Sequence, residues 1–215
     1  MEPKEFILKV IDSYVEARRS VFKDKKIHRG RSHTISSLAE DLLAYYLIKN
    51  DPNIEKIYVD QSVYFPDSKT RIYPDITIIK NRQIVAFVDL KMDMGWNRGE
   101  LLNLCIRHSN TIKQVRSKEC RVKDGQTKDT CSENASQDIS YSIVIIGRRN
   151  SGKQLDSLRE QAKSTVFPVV DTFLLCDSEK YHPNEYGIDR EKLAEGLDIN
   201  ISEFNRLLNK ISQSV

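Results

Sequence analysis

The sequence predicts an α/β chain, a mixed β-sheet with helices on both faces. Three observations carry this: apolar residues recur at helical spacing in the first fifty residues, a meander of strands follows, and helices and strands then alternate to about residue 176. In residues 4–22, Phe6, Ile7, Val10, Ile11, Tyr14 and Val15 mark one helical stripe, with Pro3 suited to a first turn. A second helix runs from about Ser36 to Asn50 and stops before Asp51-Pro52, because a residue ahead of proline leaves the helical region. IEKIYVDQSVYF (54–65) alternates as a strand and Pro66-Asp67-Ser68 turns it. YPDITIIKNRQIVAFVDLK (73–91) then reads as two strands around a polar turn. A helix at 100–116, a buried strand at 141–147, a helix at 152–163 and a strand at 169–176 follow; short helices near 190–196 and 202–213 close the chain, with Ser202 as N-cap of the last. Residues 117–139 are polar and read as a long mobile loop.

A chain of 215 residues suffices for one domain over 1–215, with a core at about 34–176 and the C-terminal helices 190–213 added to it. Hydrophobic residues are 39% and charged residues 30%, a globular rather than a disordered balance. The net charge of +3 permits a nucleic-acid partner without requiring one. No apolar run reaches the ~18 residues of a membrane span, and Glu2 and Glu5 in MEPKEFILKV do not suit a secretory signal. Cys105, Cys120, Cys131 and Cys176 form no CxxC pair, which points to a reduced, cytoplasmic setting.

The chemistry concentrates in YPDITIIKNRQIVAFVDLK (73–91), where Asp75, Asp89 and Lys91 stand among strand residues with apolar flanks. Strand side chains alternate faces, so Asp89 and Lys91 share one. Asp75 joins them only if the register allows. A two-residue turn at Asn81-Arg82 sets Asp75 opposite Val88, whereas a three-residue loop, 81–83, sets it opposite Asp89. The expectation is therefore an odd loop or a bulge. Two adjacent carboxylates repel, and a hard divalent ion such as Mg²⁺ relieves this with oxygen ligands. A neighbouring lysine then suits an attacking water or a phosphate. Asp93 lies on the same face if the strand persists, and otherwise faces solvent beyond its end.

Pro74-Asp75, thirteen intervening residues and Asp89-Leu90-Lys91 resemble the PD-(D/E)xK nuclease superfamily, which includes many restriction endonucleases. The resemblance implies a restriction-endonuclease-like sheet with an αβββαβ core, and a type II restriction enzyme hydrolysing double-stranded DNA to leave 5′-phosphates, working as a homodimer. Asp75, Asp89 and the backbone carbonyl of Leu90 would hold Mg²⁺, and Lys91 would orient the attacking water. Glu40, on the preceding helix, would complete the acidic shell, with Asp41 as the fallback. The alternative for Glu40 is a capping box with Ser37.

The basic segment KDKKIHRGRSH (23–33) is either a solvated connector or a phosphate-contacting loop, the latter through Lys25, Lys26, Arg29 and Arg31. Gly147-Arg-Arg-Asn-Ser-Gly152-Lys153 lies between a strand and a helix and matches GxxxxGK, but Gln154 replaces the hydroxyl residue that a phosphate-binding loop uses on Mg²⁺. A nucleoside-triphosphate site is thus the weaker reading, and DNA contacts by Arg148, Arg149 and Lys153 are the reading that suits a nuclease. A nucleic-acid-binding module whose catalytic set has lapsed is the remaining alternative.

Overall fold

Residues 1–21, 26 and 32–213 are described by the structure, a computed structural model. Helix α1 (Pro3–Ala17) buries Phe6, Ile7, Val10 and Ile11, while Val15, which the periodicity places on the same stripe, is exposed. Helix α2 (Ser36–Asn50) ends where Asp51 turns extended ahead of Pro52. The alternating segment 54–65 is two strands, β1 (Lys56–Val59) and β2 (Val63–Phe65), split at Asp60, whose φ of 51° bends the chain. Strand β3 (Thr70–Ile72), which the sequence did not signal, precedes the hairpin strands β4 (Ile76–Lys80) and β5 (Gln83–Lys91). A 3₁₀ turn (Gly95–Asn97) leads to α3 (Leu101–Val115).

Residues 117–139 are not a mobile loop. They form β6 (Glu119–Lys123) and the first part of β7 (Thr130–Gly147), an antiparallel pair turned where Asp124 Oδ1 accepts from the amides of Gln126 and Thr127. The outward residues of this pair are charged and polar, which hides the strand signal, yet Cys120 and Val122 face the core. All four cysteines are free thiols. Helix α4 (Leu155–Val166), β8 (Val170–Cys176), α5 (Arg190–Gly196) and α6 (Ile201–Gln213) complete the chain. Ser202 lies inside the first turn of α6, and Asn200 does the capping, its Oδ1 accepting from the Glu203 amide and the Ser202 hydroxyl.

The strands form one eight-stranded mixed sheet in the order β1-β4-β5-β7-β6-β2-β3, with β8 beside the second half of β7. The β5–β7 and β7–β8 pairs are parallel and the others antiparallel. The chain is thus mixed α/β, with six α-helices among the described residues. One face of the sheet buries Ile76, Ile78, Val88, Val144 and Phe173 under α1, α2, α5 and α6. The other buries Phe87, Ile143, Ile145 and Leu174 under α3 and α4. This double cover makes β4, β5 and β8 almost wholly buried and reads in the sequence as continuous apolar runs. Among the described residues, no helix is long and apolar enough to cross a membrane.

Candidate active site

Register decides what the hairpin charges can do. Asn81 and Arg82 both have positive φ, 47° and 57°, and close the two-residue turn from Lys80 to Gln83. Taken alone, that turn would leave Asp75 opposite Val88. A bulge prevents it: Ile79 pairs with Ile84 but Ile78 pairs with Ala86, so Val85 is the extra residue. The ladder then continues through Ile76↔Val88, which brings Asp75 level with Asp89. As a result Lys91 Nζ lies 3.5 Å from Asp75 Oδ2 and 3.7 Å from Asp89 Oδ2. The side chains of Asp75 and Lys91 keep 25% and 29% of their exposure, so the cluster opens to solvent on one side.

Each carboxylate is oriented by its neighbours. Asp75 Oδ2 accepts from the Leu90 amide at 2.6 Å. Burial is the main reason its carboxyl is pushed up; Lys91 opposes this and the charge of Asp89 adds to it. Asp89 Oδ1 accepts from the Tyr141 hydroxyl at 2.6 Å. His108 Nε2 lies 3.3 Å from Asp89 Oδ2, close but off hydrogen-bond alignment, and the imidazole stacks on the Tyr141 ring at 3.7 Å. Burial alone would raise Asp89, but His108, Lys91 and Tyr141 together hold it below the usual carboxylate range. Burial and the adjacent Asp89 push the Tyr141 phenol far up, so it stays a donor.

Glu40 joins this group from α2. The helix begins at Ser36 and its N-cap, Ile35, makes no side-chain cap, so Glu40 is not spent in a capping box. Its carboxyl is pushed up to about 7, first by burial, then by the charges of Asp75 and Asp60, with Lys91 opposing. Asp41, the fallback, is exposed. Asp60 was not foreseen; the bend that ends β1 brings it in, and its amide donates to the Asp75 carbonyl at 2.8 Å. His108 and Tyr141 were missed as well. The available signals were a histidine beside the apolar stripe of α3 and a tyrosine opening the buried segment YSIVIIG.

Asp93 departs from the site and does not face open solvent. It is drawn to His182 Nε2 at 3.3 Å and to Asn150 Nδ2 at 3.2 Å. Among the predicted DNA contacts, Arg148 is committed elsewhere: its guanidinium forks onto Asp156 at 2.8 Å and also pairs with Asp177. Arg149 pairs with Glu185. Lys153 is exposed and, among the described residues, has no ion-pair partner. Lys26 is exposed, whereas Lys25, Arg29 and Arg31 lie outside the described residues. In the GxxxxGK segment, Ser151 turns inward, its hydroxyl bonding the Gly147 carbonyl and the Met94 amide.

Among the described residues, no three His, Cys, Asp or Glu side chains stand closed around a common point as for a ligated metal. The donor chemistry nevertheless suits Mg²⁺, which takes one or two carboxylates and keeps several waters. Burial raises the carboxyls of Asp75 and Glu40 first and neighbouring acids add to it, and such an ion would favour the charged form of both. Comparison with family models, with curated proteins and with solved structures returned no match.

Proposed function

We propose that the protein is a Mg²⁺-dependent DNA endonuclease of the PD-(D/E)xK type, acting on double-stranded DNA in the manner of a type II restriction enzyme. The reading rests on one observation above others: a bulge at Val85 brings Asp75 level with Asp89, and Lys91 reaches both carboxylates at the open edge of a buried hairpin. Burial of carboxylates is costly unless cations offset it, and here one lysine faces more than one acid.

Asp75 and Asp89 would hold the ion, with Glu40 and the Leu90 carbonyl in support. When bound, the ion supplies the positive charge that stabilises a phosphodiester under attack. Lys91 presents its ammonium beside both acids, where it orients a water and offsets phosphate charge. Tyr141 fixes the Asp89 carboxylate with His108 beside it, and the Leu90 amide fixes that of Asp75. A homodimer is the working form this reading carries, since duplex cleavage needs both strands to be reached.

The test is a plasmid-nicking assay with Mg²⁺ on the wild type, Asp89→Ala and Lys91→Ala. Cleavage by the wild type alone is expected. Absence of Mg²⁺-dependent cleavage over a broad set of DNA substrates would overturn the proposal.

A further inference from the structure

The GRRNSGK segment is built onto the end of the site strand. Just past Lys91, the Met92 carbonyl accepts from the Gly147 amide at 3.0 Å, and the Met94 amide donates to Ser151 Oγ at 3.0 Å. The loop from Gly147 to Ser151 is thereby joined to the residues that follow Lys91. Two adjoining depressions open over it, about 540 and 550 Å³, and they share Arg98 and Asn150. The first is also lined by Asp93 and Gly95, the second by Arg149, Lys153 and Glu179, among others.

Arg98 is set in place. Its Nε donates to the Asn150 carbonyl at 2.8 Å, and its stem lies across Gly152, where a built Cβ would come within 3.3 Å of Arg98 Cβ. Gly152 also has φ +86°, which glycine adopts without strain. The bond through Nε leaves the terminal guanidinium nitrogens of Arg98 available. Beside it stands Lys153, exposed and without an ion-pair partner among the described residues. Of the acids nearby, Asp156 pairs with Arg148 and Asp93 is held by His182 and Asn150, while Glu179 lines the second depression. Arg98 and Lys153 thus stand as two cations without a direct ion pair among the described residues, beside a loop bonded to Met92 and Met94 just past the end of the site strand.

We infer that Arg98 and Lys153 form a phosphate track that holds the DNA backbone as it leaves the Asp75–Asp89–Lys91 cluster. This rests on the nuclease reading and names a part of its substrate surface. Arg148, the first cation of the segment, is excluded from the track because its guanidinium is consumed by Asp156 and Asp177.

Binding is separable from cleavage, and the test uses that. Fluorescence anisotropy of a labelled DNA duplex in EDTA, over a series of salt concentrations, compares the wild type with Arg98→Ala, Lys153→Ala and the double variant. Arg98→Lys separates charge from packing on Gly152, and Lys163→Ala, in a different depression, is the surface control. Removing one cation from a phosphate should flatten the salt slope by about one, so the double variant should flatten it by about two and bind about 10-fold or more weakly at low salt. Lys163→Ala should match the wild type, and Arg98→Lys should retain most of the slope. A double variant with wild-type affinity and slope overturns the track, whether or not the protein cleaves DNA. A wild type that binds duplex but never cuts overturns the nuclease reading and leaves the slopes to decide the track; a wild type that does not bind duplex removes both.

Discussion

Two lysine–aspartate groupings sit at opposite ends of one hairpin, and their difference separates structure from chemistry. At the turn end, Lys80 Nζ meets Asp51 Oδ2 at 2.7 Å with both side chains 3% exposed. Lys80 also donates to the Ile211 carbonyl at 2.7 Å, and Asp51 accepts from the Ser212 hydroxyl and the Asn53 amide. Two of the three Lys80 ammonium donors have short partners from other elements, so this pair ties β4 to the ends of α2 and α6. At the other end, Lys91 stands 3.5 and 3.7 Å from two aspartates, beyond good hydrogen-bond length, with a third acid nearby and one side open. Two charges that neutralise each other in a closed shell serve the fold. Three acids around one cation leave a deficit of positive charge, which a proton on Glu40 or a bound cation can offset.

Breaking the open end should give the largest effect on activity. Asp89→Ala or Lys91→Ala should lower Mg²⁺-dependent plasmid cleavage by about 10³-fold or more, while urea denaturation shows a smaller stability loss than breaking the closed end. Equal cleavage by either variant would place the chemistry elsewhere. Breaking the closed end should do the reverse. Lys80→Ala leaves Asp51 buried without its cation and should cost about 3–5 kcal/mol in urea unfolding, with the cleavage rate per folded molecule unchanged. Pairing Lys80→Met with Asp51→Leu should recover most of that loss. A Lys80→Ala variant that folds normally but fails to cleave would erase the distinction between the two ends.

A smaller effect should follow from loosening Asp89. Tyr141→Phe removes the 2.6 Å donor to Oδ1. Loss of a group that orients a metal ligand typically costs about 10–100-fold, so cleavage should fall within that range and the Mg²⁺ needed for half-maximal rate should rise. The smallest effect is a pH signature. Glu40 is raised from 4.5 to about 7 in the metal-free fold. The folded state therefore binds more protons than the unfolded chain between these values, and Glu40 weakens the fold progressively as pH climbs through that window. Glu40→Gln should raise the melting temperature at pH 8 in EDTA and leave it nearly unchanged at pH 4. An equal shift at both pH values would mean that the Glu40 charge is not held beside Asp75 and Asp60.

Much of the hairpin was legible because its constraints are local. Strand alternation placed Asp89 and Lys91 together, and the arithmetic of the Asn81-Arg82 turn required one extra residue for Asp75 to join them. What arithmetic left open was where the extra residue goes. The structure keeps the two-residue turn and puts the bulge at Val85, because Asn81 and Arg82 accept positive φ while the apolar run Ile84-Val85-Ala86 can absorb an added residue inside the core. Helix α2 was equally legible from Pro52 backwards. The β6–β7 ribbon was not: one face is charged, and its strand character becomes evident only when Cys120 and Val122 meet a core supplied by distant residues.

Residue type, spacing and the alternation of strand faces by themselves determined the double-sided sheet, the two acids and lysine of the hairpin, and the need for an irregular register. The tertiary structure alone decided which charges are closed and which are left open. His108, Tyr141 and Asp60 reach the site from a helix, a parallel strand and a bend that are far apart along the chain, and Arg148 is withdrawn from the surface by acids up to 29 residues away. Periodicity specifies the direction of a side chain relative to its own element. Which partner it meets depends on how elements pack, and that in turn sets burial, carboxylate repulsion and the charge left over for a ligand.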